Sequence, residues 1–143
     1  MSEANKQVAL KFLHAMSVGD AIGQGECLTA DATTKTMGFA EVSGQRDRET
    51  MLATVEAFKE LVPTGFRPRI EKVVAEGDTV VVEWEGNAVL SNGEPYCNQY
   101  VFIFTFEGEK IRLLNEYFCT VLADRTILPL LAAKSEAMAH GNA

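Results

Sequence analysis

The sequence predicts an α+β fold in which helices come first and a curved antiparallel sheet follows. Up to Pro63 the apolar residues recur at helical steps, whereas from Phe66 to Thr120 they alternate or run together in strand-length stretches. Those stretches are separated by Glu76-Gly77-Asp78, Ser91-Asn92-Gly93 and Glu107-Gly108-Glu109, turns of the kind that join neighbouring antiparallel strands.

Each element has its own signal. From Asn5 to Val18, the residues Val8, Ala9, Phe12, Leu13 and Met16 form the apolar stripe of an amphipathic helix, which Gly19 stops. Asp20 is placed to cap a second, shorter helix that runs to Leu28. Asp31 to Phe39 is rich in threonine, a β-branched residue that suits a pleated strand. Between Gly44 and Pro63, Met51, Leu52, Val55, Phe58 and Val62 give a third helical stripe. Asp47 is its expected cap, and Pro63 ends it because the ring cannot follow the helical turn. Strands are expected over Phe66–Ala75, Thr79–Leu90, Tyr96–Phe106 and Lys110–Thr120. A last helix over Leu122–Ala139 contains Pro129, which predicts a kink or a late start.

The chain has 143 residues, 47% of them hydrophobic, which is enough for one domain that buries roughly two thirds of its unfolded surface. A net charge of −7 with no Lys/Arg cluster repels a phosphate backbone, so no nucleic-acid partner is expected and a small neutral or apolar molecule is. No apolar run is long enough for a membrane helix, and MSEANKQ has neither the basic segment nor the apolar run of a secretory signal. The expectation is a cytoplasmic protein with no membrane association. Cys27, Cys97 and Cys119 lack CxxC or His-paired spacing, so reduced thiols are expected, with no metal and no cofactor.

Alternation places Asn98, Tyr100, Phe102, Phe104 and Phe106 on one side of their strand and Cys97, Gln99, Val101, Ile103 and Thr105 on the other. A two-residue turn at Asn92-Gly93 would pair Ser91 with Glu94, bring Glu83, Glu85 and Asn87 to the aromatic side and turn Trp84 away. The next hairpin leaves two registers open. One puts Asn115, Tyr117 and Cys119 with the aromatic row; the other puts Leu114, Glu116 and Phe118 there, with Cys97 opposite Cys119.

Trp84-Glu85-Gly86, Asn92-Gly93-Glu94-Pro95-Tyr96-Cys97-Asn98-Gln99-Tyr100, Lys110-Ile111 and Glu116-Tyr117-Phe118-Cys119-Thr120 together resemble the SnoaL-like family of the nuclear transport factor 2 and ketosteroid isomerase superfamily. The upstream Gly19-Asp20, Thr29-Ala30-Asp31-Ala32-Thr33 and Gly44 to Glu49 fit the same pattern, so the resemblance implies one SnoaL-like domain over 1–143. It implies a cone-shaped, cystatin-like α+β roll with a cavity between helices and sheet, and homodimerisation through the outer sheet face. Val80, Val82, Trp84, Val101 and Ile103 are the residues expected on that face.

The resemblance also says what is missing. Ketosteroid isomerases need a carboxylate base and an oxyanion hole of a tyrosine and a protonated aspartic acid; those positions fall at or near Thr36, at Phe12 and at Phe102. In SnoaL-type cyclases the Glu-Tyr-x-Asp-Thr pattern carries an acid/base aspartate where this chain has Cys119. Epoxide hydrolysis needs a carboxylate pair bridged by an arginine, and the meander offers only Arg112. The remaining candidates are Glu116 and Glu85 as catalytic carboxylates, with Asn98, Tyr100, Tyr117, Cys119, Phe102 and Phe12 lining the ligand. Two functions follow: cofactor-independent acid/base isomerisation, dehydration or cyclisation of a small apolar carbonyl compound, or non-catalytic binding or scaffolding on the same roll.

Overall fold

The computed structural model describes the backbone of residues 2–141 and the side chains of residues 2–137. In chain order the elements are α1 (Ser2–Ser17), α2 (Ala21–Glu26), β1 (Leu28–Thr36), β2 (Gly44–Asp47), α3 (Arg48–Leu61), β3 (Arg69–Glu76), β4 (Thr79–Val89), β5 (Pro95–Glu107), β6 (Lys110–Phe118), α4 (Thr120–Arg125) and α5 (Ile127–Gly141).

The helix boundaries follow the local chemistry. Gly19 ends α1 at φ 76°, and a Cβ there would lie 2.6 Å from Lys59 Cγ, so the glycine both stops the helix and lets α3 approach. The Asp20 carboxylate accepts from the Gly23 N–H and the Asp47 carboxylate from the Thr50 N–H, each at 2.9 Å, capping α2 and α3. The C-terminal helix is divided at Thr126; Pro129 falls in the first turn of α5, where a missing N–H leaves nothing unpaired. Two details depart from expectation. β1 occupies Leu28–Thr36 rather than Asp31–Phe39, and the short strand β2 forms just ahead of α3.

The six strands lie in the order β2-β1-β6-β5-β4-β3. β1 runs parallel to β6, and the other four pairings are antiparallel. This is the α+β roll, with helices packed on a curved, mostly antiparallel sheet. Along β4 and β5 the burial alternates residue by residue. The inner face carries Val80, Val82, Trp84, Tyr100, Phe102 and Phe104, all buried, and Phe12 of α1 meets Phe104 edge-on at 5.4 Å.

The first hairpin corrects the expected register, and the second decides which of the two open facings is adopted. Leu90 and Glu94 close a three-residue loop, in which Gly93 takes φ 87° and its N–H donates to the Leu90 carbonyl at 2.9 Å. Tyr100 therefore faces Trp84, and Asn98 faces Gly86. Trp84 is wholly enclosed, while Glu83, Glu85 and Asn87 turn outward. Of the five residues expected on the outer face, only Val101 and Ile103 are there; Val80, Val82 and Trp84 are core. At the second hairpin Glu107 and Lys110 flank a two-residue turn, but a bulge between Thr105 and Phe106 shifts the pairing at Arg112. Leu114, Glu116 and Phe118 thus join the aromatic side. In this register the position after Phe118 would fall beside Gln99, not Cys97, and the ladder ends at the Tyr100–Phe118 pair; all three cysteines are free.

Candidate functional site

Thr36 at the end of β1 stands beside Glu116 on β6, and Phe102 on β5 lies on the other side of Glu116, so one inner-face row holds Thr36, Glu116, Phe102 and Val82. The Thr36 hydroxyl donates to Glu116 Oε2 at 3.2 Å. Arg46 on β2 donates from Nη1 to Thr36 Oγ1 at 3.3 Å, and from Nη2 to the Val42 carbonyl at 2.7 Å. Thr34, one inner-face position along β1, is buried, and its hydroxyl has no hydrogen-bond partner.

The Glu116 carboxyl is densely enclosed by protein yet keeps partial contact with solvent. That enclosure pushes its pKa up to about 7, because desolvation penalises the anion; the Thr36 hydroxyl and the positive charge of Arg46 oppose the shift without cancelling it. A carboxyl in this range is present in both protonation states at neutral pH. It can give or take a proton.

The other candidates are distributed differently. Glu85 lies on the outer face, where its carboxylate accepts from Gln99 Nε2 at 3.1 Å and from Arg69 Nη2 at 2.9 Å. These bonds hold its pKa below the usual carboxylate value, the reverse of what a base needs near neutrality. Tyr117 is also outside and 42% exposed. Tyr100 stacks on Trp84, with centroids 3.9 Å apart and planes 6° from parallel, and Phe102 meets both rings edge-on.

Asn98 is buried and its amide is consumed by the fold. Oδ1 accepts the backbone N–H groups of Gln99 and Cys119 at 2.8 and 3.1 Å, and Nδ2 donates to the Cys119 carbonyl and the Tyr96 hydroxyl. Phe12 is completely enclosed in α1, and Cys119 is exposed where the chain enters α4. The structure therefore brings Glu116, Phe102 and Tyr100 to one face and sends Glu85 and Tyr117 to the other. The Thr36 hydroxyl was not recognised as the partner of Glu116, nor Arg46 as the charge behind it, because no spacing rule brings a strand from the first third of a chain beside one from the last. The arginine of the site is Arg46; Arg112 forms only an exposed ion pair with Glu107.

Among the described residues, neither of two concavities takes in Glu116. One, about 620 Å³, lies across the outer face among Arg69, Glu83, Glu85, Gln99, Val101 and Tyr117. The other, about 290 Å³, lies at the sheet end beside Cys97, Cys119 and Leu122. No helix of the described residues is long and apolar enough to cross a membrane.

Among known proteins, the family model described as the SnoaL-like domain matches residues 9–114. No curated protein matches. Solved structures do. An NTF2-like protein from Burkholderia xenovorans is similar at 20% identity, covering 88% of this chain and 97% of its own, with a TM-score of 0.69. An NTF2-like protein of unknown function from Burkholderia pseudomallei shares 17% identity over 87% of this chain and 97% of that one, TM-score 0.73. An LEH-like epoxide hydrolase from M. tuberculosis shares 18% identity over 92% and 98%, TM-score 0.72. These likenesses establish an NTF2-like fold, and the family match over most of the sequence means that the chain belongs to the SnoaL-like family.

Proposed function

We propose that this protein, as one SnoaL-like domain over residues 1–143, binds a small, largely apolar carbonyl compound at the inner sheet face and transfers a proton with Glu116. The observation that carries this reading is the Glu116 carboxyl itself, raised to about 7 by enclosure and held by the Thr36 hydroxyl with Arg46 behind it. The ionised form removes a proton beside the substrate carbonyl, and the resulting acid returns it at another carbon or to a leaving oxygen, giving isomerisation, cyclisation or dehydration without a cofactor. Thr36 fixes the carboxyl's orientation. Arg46 restrains Thr36 and limits the cost of the anion.

The test is exchange of α-protons into heavy water, followed by NMR over a panel of small cyclic ketones and enones. The wild type is expected to accelerate exchange with a rate that rises through pH 7. Glu116→Gln should lose at least ~100-fold, in line with removal of a general base, and Glu85→Gln should not. Equal rates for the wild type and Glu116→Gln overturn the reading.

One observation favours a non-catalytic alternative: the inner face around Trp84, Tyr100 and Phe102 is filled ring against ring, and both concavities lie elsewhere. That protein would be a binding or scaffold module and show no exchange in any variant. Homodimerisation through the outer sheet face and a cytoplasmic setting, which suits the free thiols, belong to both readings.

A further inference from the structure

Val42, in the loop between β1 and β2, is gripped at both of its main-chain groups. Its N–H donates to Asp124 Oδ1 at 2.9 Å, and its carbonyl accepts from Arg46 Nη2 at 2.7 Å. The preceding Glu41 N–H donates to Asp124 Oδ2 at 3.1 Å, so one carboxylate on α4 ties down two consecutive amides that lie 83 and 82 residues earlier in the chain. α4 is itself anchored at its start, where the Asn98 amide of β5 holds the Cys119 N–H and carbonyl at 3.1 and 3.0 Å. The short helix is a strut from β5 to the loop that carries the chain from Thr36 to Arg46.

We propose that Asp124 is a positioning residue for the proton transfer assigned to Glu116: by fixing Glu41 and Val42 it holds Arg46 on Thr36, beside the reacting carboxyl. The proposal rests on the reading of Glu116 as the acid/base group. Its route is continuous: Asp124 to Val42, Val42 to Arg46, Arg46 to the Thr36 hydroxyl at 3.3 Å, and Thr36 to Glu116 Oε2 at 3.2 Å. Arg46 Nη1 is shared between Thr36 and the Gly44 carbonyl, both at 3.3 Å, so the shorter bond from Nη2 to the Val42 carbonyl is what aims the guanidinium. A carboxylate suits the outer end of this route, because its two oxygens accept two N–H groups at once and charge strengthens each bond.

The two ways in which Asp124 can act on Glu116 have opposite signs. A negative charge acting directly favours the protonated carboxyl, so removing it would lower the Glu116 pKa. Acting through Arg46, Asp124 does the reverse. With the loop untied the guanidinium is free to leave Thr36 for solvent, and the positive charge that opposes the desolvation of Glu116 is lost, so the pKa rises. The other titratable groups that bear on Glu116 are the Tyr96 and Tyr100 hydroxyls of β5; burial pushes both above the ordinary tyrosine value, and they stay neutral where Glu116 titrates. Glu41 on the loop and Arg125 on α4 are exposed, where solvent and salt screen their charges.

The test reads Glu116 directly and without substrate. In the full chain labelled with carbon-13 at the glutamate carboxyls, the Glu116 signal is assigned by its loss in Glu116→Gln and followed by NMR across neutral pH. The wild type is expected to titrate at about 7. Asp124→Ala should raise that midpoint by ~0.5 pH or more, and Arg46→Gln by at least as much, since both take the positive charge away from the carboxyl. Asp124→Asn keeps one acceptor and should give a smaller rise; it carries the same reading should circular dichroism show Asp124→Ala unfolded. In an Arg46→Gln background Asp124→Ala should add nothing, as expected of two residues on one route. Proton exchange into heavy water separates this proposal from the reading it rests on. Where the wild type exchanges, the pH profile of Asp124→Ala should move up with the Glu116 midpoint. A wild type without exchange overturns the function assigned to Glu116, and the titration still decides whether Asp124 sets its proton affinity. An unchanged or lowered midpoint in the Asp124 variants, an equal shift in both Arg46 backgrounds, or an exchange profile that stays put while the midpoint moves would refute the positioning role.

Discussion

Glu116 holds its proton more tightly in the folded chain than in the unfolded one, and stability must follow. Its pKa rises from the ordinary 4.5 to about 7 on folding, so the folded state binds the extra proton. The contribution to stability is fully present below pH 4.5 and is lost as the pH rises through 7, up to roughly 3 kcal/mol for a shift of this size. Glu116→Gln removes this dependence. Urea unfolding is expected to show the variant close to wild type at pH 4.5 and more stable at pH 8; a constant difference across that range contradicts the assignment. Asn98 shows what a residue-level reading misses. A polar side chain among aromatics looks like a ligand contact, but its carbonyl and amide already serve the backbone of Gln99 and Cys119. Residue type was legible there, and hydrogen-bond partner was not.

At the scale of elements, most of the fold was readable because the signals are local. Apolar spacing marked the helices, Asp20 and Asp47 marked caps, and glycines marked the three turns. Facing was not readable, since it depends on a single residue at each hairpin. A three-residue loop at Ser91-Asn92-Gly93 carried Trp84 inward and Glu85 out, and a bulge at Arg112 carried Glu116 inward and Tyr117 out. The Thr36–Arg46 support was illegible for another reason: it arises from contacts across most of the chain. A connector before β3 makes a separate point. Gly65 sits at φ 72°, and a Cβ there would lie 2.9 Å from the Ser17 carbonyl oxygen, which accepts the Phe66 N–H. Gly65→Ala combines backbone strain with a clash against main chain. It is expected to cost about 2 kcal/mol or more, measurable by thermal or urea unfolding.

Over the whole molecule, the outer sheet face is apolar across its middle and charged at its end. Val74, Val81, Val101, Ile103 and Tyr117 stay wholly or partly accessible, and Arg69 bridges Glu71 and Glu85 beside them. A face of this kind suits a second copy, with the valine and isoleucine side chains at the centre and the ion pairs at the rim offsetting the repulsion between two chains of net charge −7. Light scattering at micromolar concentration is expected to give a dimer, and Ile103→Lys a monomer that keeps its circular dichroism spectrum. A wild-type monomer would refute the arrangement.

The parallel pairing of β1 with β6 also orders events in time. Residues 33–36 find their partners at 113–116, so the strand made early in synthesis has no neighbour on that side until nearly the whole sheet exists. β2 depends on β1 in turn. The β3–β6 meander can zip locally, hairpin by hairpin, whereas docking of β1 closes a loop of 80 residues between Thr36 and Glu116 and carries a larger entropic delay. Thr36 and Arg46 arrive with it. A chain still growing past Lys110 therefore has its first three helices and its first hairpins but not the support of its central carboxyl.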